Sequence, residues 1–342
     1  MARFAAIGLD HRHVCDMTQG LLSAGQECAG HCPETTDPRV LAGFRKRFPG
    51  VPAVGRERLL DDPSIDVVVT AAVPRERAAL AIEAMRRGKD VMVDKPAVTT
   101  LAQLAKVERA VAETGRIWSV CFSERFLVPS VEVALELVAA GEIGAVVQTV
   151  NLAPHRLNAA IRPAWFFDHS AHGGILCDIG SHQIDQFLVF TGSRDAQVVS
   201  STVAGFGELP SPGFENFGEI VLRSERAAGY VRVDWFTPEG MPTWGDGRLI
   251  IVGTEGTIEL RKYVDIEGRP GPDHLFLANA TGTRHIDCAG RPLTYFRAFA
   301  TDVANRSETA MRLDHVFTVC RLALEAQARA QRVALPGGRP AA

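Results

Sequence analysis

Phe4-Ala5-Ala6-Ile7-Gly8-Leu9-Asp10-His11-Arg12-His13 is a short apolar run that closes on a glycine and gives way to a helical pattern over about 14–24. An apolar strand that ends in glycine and feeds a helix is the first half of a βαβ unit. The glycine lets the chain turn, and the free N–H groups and positive dipole end of the helix face whatever lies beyond the strand. The rhythm repeats outward from there. A second strand is expected at about 28–31, and Asp37 caps a helix with Pro38 in its first position that runs to about Phe48. Ile65-Asp66-Val67-Val68-Val69-Thr70 has the nearly continuous β-branched character of a buried parallel strand. A helix over about 75–87 stops at Gly88, and 90–93 reads as the next strand. Thr99 or Thr100 then caps a helix that ends before Gly115, followed by a strand at 117–121. Strands spaced this regularly by helices require a parallel sheet covered on both faces.

After about residue 124 the pattern changes. One helix (about 131–140) leads to a strand at 146–152, a helix begins near Asp178, and 198–277 is strand-rich with Gly and Pro turns, as in an open, mostly antiparallel sheet. A last helix over about 312–331 precedes a Gly/Pro-rich tail at 336–340 that reads as frayed. The expected division is a dinucleotide-type α/β domain at 1–123 and an α+β domain at 124–342, in keeping with the roughly two domains that 342 residues suggest.

Composition excludes several classes. Thirty-seven Lys+Arg against 40 Asp+Glu leave a net charge of −3, so no basic footprint for nucleic acid exists. No apolar run approaches a membrane span, and the N-terminus shows no signal-peptide core, so a cytoplasmic protein is expected. Seven scattered cysteines without a CxxC pair argue against a disulfide framework or zinc cage.

Chemistry concentrates at a few places. In the first turn Asp10 and His13 occupy the second and third glycine positions of G-x-G-x-x-G, so the loop reads either as a phosphate-binding turn or as one in which Asp10 caps the helix. The second strand leads into His31-Cys32-Pro33-Glu34, which leaves NAD and NADP undecided: an acid there holds the NAD ribose, a cation the NADP phosphate. Asp94-Lys95-Pro96 follows the fourth strand, where a lysine points into the ligand crevice of a parallel sheet. The densest constellation is 172–185, where Asp178, His182 and Asp185, at i, i+4 and i+7, share a helical arc of about 60°. A histidine beside a carboxylate is suited to take a proton near neutral pH, and the same residues also fit a structural His–Asp pair. No second HxxxH or Cys pair supports a metal, and none is assigned. Pro154-His155-Arg156 and Trp165-Phe166-Phe167 are placed to line a sugar-sized pocket, and Arg125 of Ser123-Glu124-Arg125-Phe126 to bridge the domains. His11-Arg12-His13 and Arg45-Lys46-Arg47 read as solvated helix faces.

With these residues in hand the chain resembles the Gfo/Idh/MocA family, the glucose–fructose oxidoreductase and inositol dehydrogenase group, over nearly its whole length. Asp94-Lys95-Pro96 is similar to the family's E-K-P motif, and Ser123-Glu124-Arg125-Phe126 to its arginine segment. The run 173–185 fits G-G-x-L-x-D-x-G-x-H-x-x-D residue for residue. The resemblance implies an N-terminal Rossmann dinucleotide-binding domain, a C-terminal α+β domain whose open sheet forms an oligomer interface, and NAD- or NADP-linked oxidation or reduction of a sugar, cyclitol or related polyol. It implies that His182 is the acid/base, Asp178 its partner, and Lys95 a contact to cofactor and substrate. Candidate cofactor contacts are Gly8, Asp10, His11, Cys32, Val73 and Lys95. Candidate substrate contacts are Lys95, Arg125, His155, Arg156, Trp165, Asp178 and His182. Asp10 and Cys32 depart from the family pattern. Alternatives are an NAD-dependent glycosidase acting by transient oxidation and a non-catalytic binding protein of the same fold. A homo-oligomer is expected, because Trp235, Phe236 and Trp244 in the strand-rich region need cover.

Overall fold

The computed structural model describes residues 2–333, so the tail at 336–340 lies outside the described residues. The strands are β1 (Arg3–Leu9), β2 (Glu27–His31), β3 (Val67–Ala71), β4 (Asp90–Asp94), β5 (Trp118–Cys121), β6 (Val146–Pro154) and β7 (Gln197–Ala204). They continue as β8 (Phe217–Arg223), β9 (Ala228–Asp234), β10 (Arg248–Gly253), β11 (Gly256–Arg261), β12 (His274–Asn279), β13 (Gly282–Asp287) and β14 (Gln331–Arg332). The helices are α1 (His13–Ser23), α2 (Pro38–Arg47), α3 (Arg56–Asp61), α4 (Pro74–Arg86), α5 (Leu101–Thr114) and α6 (Ser123–Phe126). After them come α7 (Pro129–Ala139), α8 (His169–His172), α9 (Ile175–Asp178), α10 (Gly180–Thr191), α11 (Tyr295–Asn305) and α12 (Leu313–Arg329).

The chain folds as two compact units. The first gathers 2–121, 163–173 and 294–321, so two segments that follow residue 124 in sequence return to it. Its sheet has the order β2-β1-β3-β4-β5, parallel throughout. Every residue of β3 and β4 is buried, as their unbroken apolar character requires. The helix ends follow local chemistry. Asp37 accepts from the Arg39 amide with Pro38 in the first turn, Thr100 accepts from the Gln103 amide, and Gly115 ends α5 at φ +62°. Because the chain runs outward from β1 to β2 on one side and to β3 on the other, the carboxyl ends of β1 and β3 flank the crevice where such sheets bind ligands.

The second unit gathers 122–162, 174–293 and 322–333. Its nine-stranded sheet has the order β13-β12-β11-β10-β6-β9-β8-β7-β14, antiparallel except at β6–β9 and β14–β7. Period-two alternation aims Leu249, Ile251, Ile258, Leu260, Leu275 and Leu277 to one face, where Val131 and Ala134 of α7 cover them. A Cβ on Gly218 of β8 would lie 2.5 Å from Leu176, so α9 rests on backbone that only glycine leaves bare. The aromatic argument for an oligomer needs correction. Trp235 is 6% exposed, beneath the Arg162 guanidinium and edge-on to His155, and Trp244 packs on Tyr263 with ring centroids 4.4 Å apart. Arg156 pins the loop between them, its Nη2 donating to the carbonyls of Pro238, Glu239 and Met241. Only Phe236 stays open, at 48%. Among the described residues no helix is long and apolar enough to cross a membrane.

Candidate active site

In the first unit, β1 ends at a turn where only glycine fits. Gly8 has φ +75°, and a Cβ there would lie 2.6 Å from the Ala72 Cβ. The turn opens on a pocket of about 560 Å³ lined by Gly8, Asp10, Cys32, Glu34, Thr35, Thr36, Arg56, Ala72, Arg75 and Glu76, at the carboxyl ends of β1, β2 and β3. A dinucleotide fits this place by position and by the bare backbone that glycine leaves for a pyrophosphate to approach. Val73 lies beside it as the N-cap of α4, 2% exposed. Cys32 is 1% exposed, its amide bonded to Ala6 and its thiol pushed up chiefly by burial.

Asp10 does something neither reading of the loop foresaw. The N-cap of α1 is Arg12, with no side-chain cap, whereas the Asp10 carboxylate accepts from the Thr36 amide and from the hydroxyls of Thr36 (2.7 Å) and Thr35 (3.0 Å). The helix-capping reading is therefore wrong: Asp10 ties the first βα loop to the second, and it is 5% exposed because it faces those donors. Asp10→Ala should loosen the pocket wall and weaken dinucleotide binding about tenfold, or ~1.4 kcal/mol. Calorimetric titration checks this, and unchanged affinity would show that the loop pair holds without the carboxylate.

The solvated-face reading of His11 and His13 also gives way. Both rings turn to Asp94, the last residue of β4: His11 Nδ1 lies 3.1 Å from Oδ2 and His13 Nδ1 2.9 Å from Oδ1. Arg77, 1% exposed, donates to Oδ2 at 3.0 Å and through Nη1 to the carbonyls of Asp94 and Pro96, fixing the backbone on both sides of Lys95. Burial alone would raise the Asp94 carboxyl, but His13 and Arg77 hold it well below the usual range. Burial, then the charge of His13, pushes His11 down to about 3 against the pull of Asp94. At neutral pH His11 is thus a neutral imidazole donating from Nδ1 to Asp94. The three side chains bring potential metal-ligand atoms within 4.8 Å of one another. The separations are those of hydrogen bonds and a guanidinium already occupies the carboxylate, so the cluster reads as hydrogen-bonded. Lys95 is 6% exposed, and Trp165 meets the His11 ring edge-on at 6.4 Å.

In the second unit the helical arc of 178–185 is divided. Asp178, 7% exposed, ends α9; Ile179 is the joint; His182, 2% exposed, lies in the first turn of α10. Asp185 is fully buried and receives Nε and Nη2 of Arg125, each at 2.8 Å, while the guanidinium lies over the Phe126 ring. The second carboxylate of the arc therefore serves Arg125. His155, just past β6, packs edge-on to Trp235 and Trp244, and its Nε2 lies 3.4 Å from Glu124.

Sequence reasoning passed over Glu124, although it quoted the segment for Arg125. Glu124 is 3% exposed and receives Gln183 Nε2 at 2.8 Å and Lys262 Nζ at 3.3 Å. Burial would raise its carboxyl, but Lys262, His155 and His182 hold it well below the usual range, so it is ionised. Burial pushes Lys262 down and Glu124 pulls it back. No local pattern announces Lys262, which follows Arg261 just past β11.

Residues 10–122 match the family described as oxidoreductase family, NAD-binding Rossmann fold, and residues 131–259 match the GFO/IDH/MocA C-terminal domain. The chain is 31% identical over 207 residues to scyllo-inositol 2-dehydrogenase (NAD(+)) of Bacillus subtilis, covering 58% of this chain and 56% of that protein. It is 30% identical over 180 residues to levoglucosan dehydrogenase of Pseudarthrobacter phenanthrenivorans, covering 52% and 46%. The chain thus spans about half the length of these curated relatives. A solved structure from Erwinia carotovora atroseptica SCRI1043 is 46% identical, covers 98% of this chain and 100% of its own, and has a TM-score of 0.94. With a parallel-sheet unit matched by the first domain of the family, a nine-stranded unit matched by the second and the 173–185 signature in place, the chain belongs to the Gfo/Idh/MocA family of oxidoreductases.

Proposed function

We propose that the protein is an NAD-dependent dehydrogenase that oxidises a CH–OH group of a sugar, cyclitol or related polyol. The observation that carries this reading is His182, a buried imidazole in the first turn of the second unit's signature helix, next in the chain to Gln183, which donates to the buried carboxylate of Glu124. Such a group is suited to accept a hydroxyl proton as the carbon is oxidised. When bound, the nicotinamide supplies the acceptor for the hydride that leaves that carbon. In the first unit Lys95, its backbone held by Arg77, is the cofactor and substrate contact that the family motif implies, and in the second unit Asp178 is the substrate-binding residue that it implies. Relatives named inositol and levoglucosan dehydrogenases support the substrate class.

The pocket favours NAD over NADP. Its wall carries the exposed carboxylate of Glu34, while Asp10 is turned to Thr35 and Thr36, Arg56 is bonded to Glu83 and Arg75 is engaged with Asp168 and Glu76. A 2′-phosphate would meet negative charge with both guanidiniums already committed, whereas a ribose hydroxyl suits Glu34. NAD⁺ should bind at least tenfold tighter than NADP⁺ in a fluorescence titration, and NADH should accumulate over many turnovers with one member of a polyol panel. No dinucleotide binding, or no NADH with any polyol, would overturn the reading. The protein is further proposed to assemble as a homo-oligomer through the second face of its nine-stranded sheet, where Phe217, Tyr230 and Ile250 are half-buried. A mass above 37.0 kDa in light scattering is the expected sign.

A further inference from the structure

The second unit buries an ion pair that no motif explains. Glu124 Oε2 receives Lys262 Nζ at 3.3 Å, and these residues are 3% and 1% exposed. Oε2 also receives the Gln183 amide at 2.8 Å, and Oε1 lies 3.4 Å from His155 Nε2. A buried pair of this kind is a weak source of stability, because desolvation cancels most of the attraction. Its place says more than its strength. Gln183 follows His182 directly on α10, and Phe122, two residues before Glu124, meets the His182 ring edge-on with centroids 6.3 Å apart. The carboxylate is thus bound to the turn of α10 that carries His182, and His182 is among the groups whose charge it feels.

We propose that Glu124 is a positioning residue for the reaction: clamped by Lys262 and Gln183, its carboxylate fixes the first turn of α10 and supplies the counter-charge for His182 when that imidazole takes the substrate proton. The proposal rests on the dehydrogenase reading for its reaction, and on the second unit alone for its geometry. In the proton transfer His182 gains the hydroxyl proton and one positive charge, Glu124 keeps its negative charge throughout, and no proton passes to it. The carboxylate acts as a fixed counter-charge that stays ionised, held to the histidine's helical turn through Gln183. Lys262 limits the effect by offsetting part of that charge. The charged and titratable groups that contact the carboxylate are Lys262, just past β11, and His155, past β6; His182 on α10 and Tyr263 also interact with its charge, and the Tyr263 phenol is pushed well above its usual value by burial and by Glu124. Lys262 in turn feels Asp185 and Asp273.

Two single variants should move the system in opposite directions. Glu124→Gln keeps the shape but removes the charge, so His182 becomes a weaker base and the acid limb of kcat/KM moves down by about 1 pH unit. Lys262→Met removes the offsetting cation, so the limb moves up. The double variant Glu124→Gln/Lys262→Met restores neutrality and returns the limb toward the wild-type position. The His182 titration followed by NMR with labelled histidine, assigned with His182→Gln, should move the same way in protein without substrate. A pH profile and His182 titration that stay fixed in both single variants, with only thermal stability lowered, would overturn the proposal. Titrations that move as expected in a protein that oxidises no polyol would sink the dehydrogenase reading and leave the role of Glu124 toward His182 intact.

Discussion

His182→Ala is expected to reduce turnover by ~10²–10⁴, the usual contribution of a general acid–base group, while dinucleotide affinity stays within twofold. The asymmetry follows from where the residue sits. His182 is in the second unit, 2% exposed, on the first turn of α10, whereas the glycine turn, the Asp10–Thr36 tie and the carboxylate-lined pocket belong to the first unit. Truncation removes the proton acceptor and leaves Glu124 still bonded to Lys262 and Gln183, so the second unit keeps its framework. The measurement is steady-state NADH formation beside NAD⁺ binding by fluorescence. Turnover near the wild-type rate would remove His182 from the mechanism, and loss of NAD⁺ binding would mean that its effect is on folding.

The largest stability effect is expected at Arg77. Its guanidinium is 1% exposed, donates to the carbonyls of Ala72, Asp94 and Pro96, and pairs with Asp94 Oδ2. Arg77→Met keeps most of the volume but strips three buried carbonyls of a donor and leaves Asp94 facing two imidazoles without its permanent cation. Removing one partner of a buried ion pair costs about 3–5 kcal/mol. Chemical denaturation of the variant against the wild type reads this directly, and a loss below about 1 kcal/mol would show that water replaces the guanidinium. The pH dependence has a definite sign. Because Asp94 is held below its ordinary value, its stabilisation is complete above about pH 4 and fades as pH falls further, so the gap between the two proteins is constant near neutrality and narrows in acid. Lys95, which lies between two of the carbonyls that Arg77 holds, should lose its fixed backbone in the same variant, so residual activity should fall with stability.

The sequence by itself determined whatever depends on near neighbours. The five strands of the parallel sheet, the Asp37-Pro38 and Thr100 helix starts, the glycine at the end of β1 and the alternation that turns Leu249 and Ile251 inward are all set by steric and hydrophobic rules acting over a few residues. The 173–185 signature was legible as a string for the same reason, since its glycines and polar residues stand at fixed spacing. Only the tertiary structure decided what those residues touch. Asp10 looked like a helix cap because the first free N–H groups are its nearest donors in sequence, yet it bonds Thr36, 26 residues on. His13 looked solvated because a helix start is usually exposed, yet it meets Asp94 across 81 residues. Asp185 lies on the arc of His182 but serves Arg125, and Glu124 finds its cation 138 residues away in Lys262. The returns of 163–173 and 294–321 to the first unit belong to the same class. In each case the deciding quantity is desolvation: a buried charge takes whichever partner the fold brings within hydrogen-bond distance, and that distance depends on how strands and helices pack, which a local pattern does not encode.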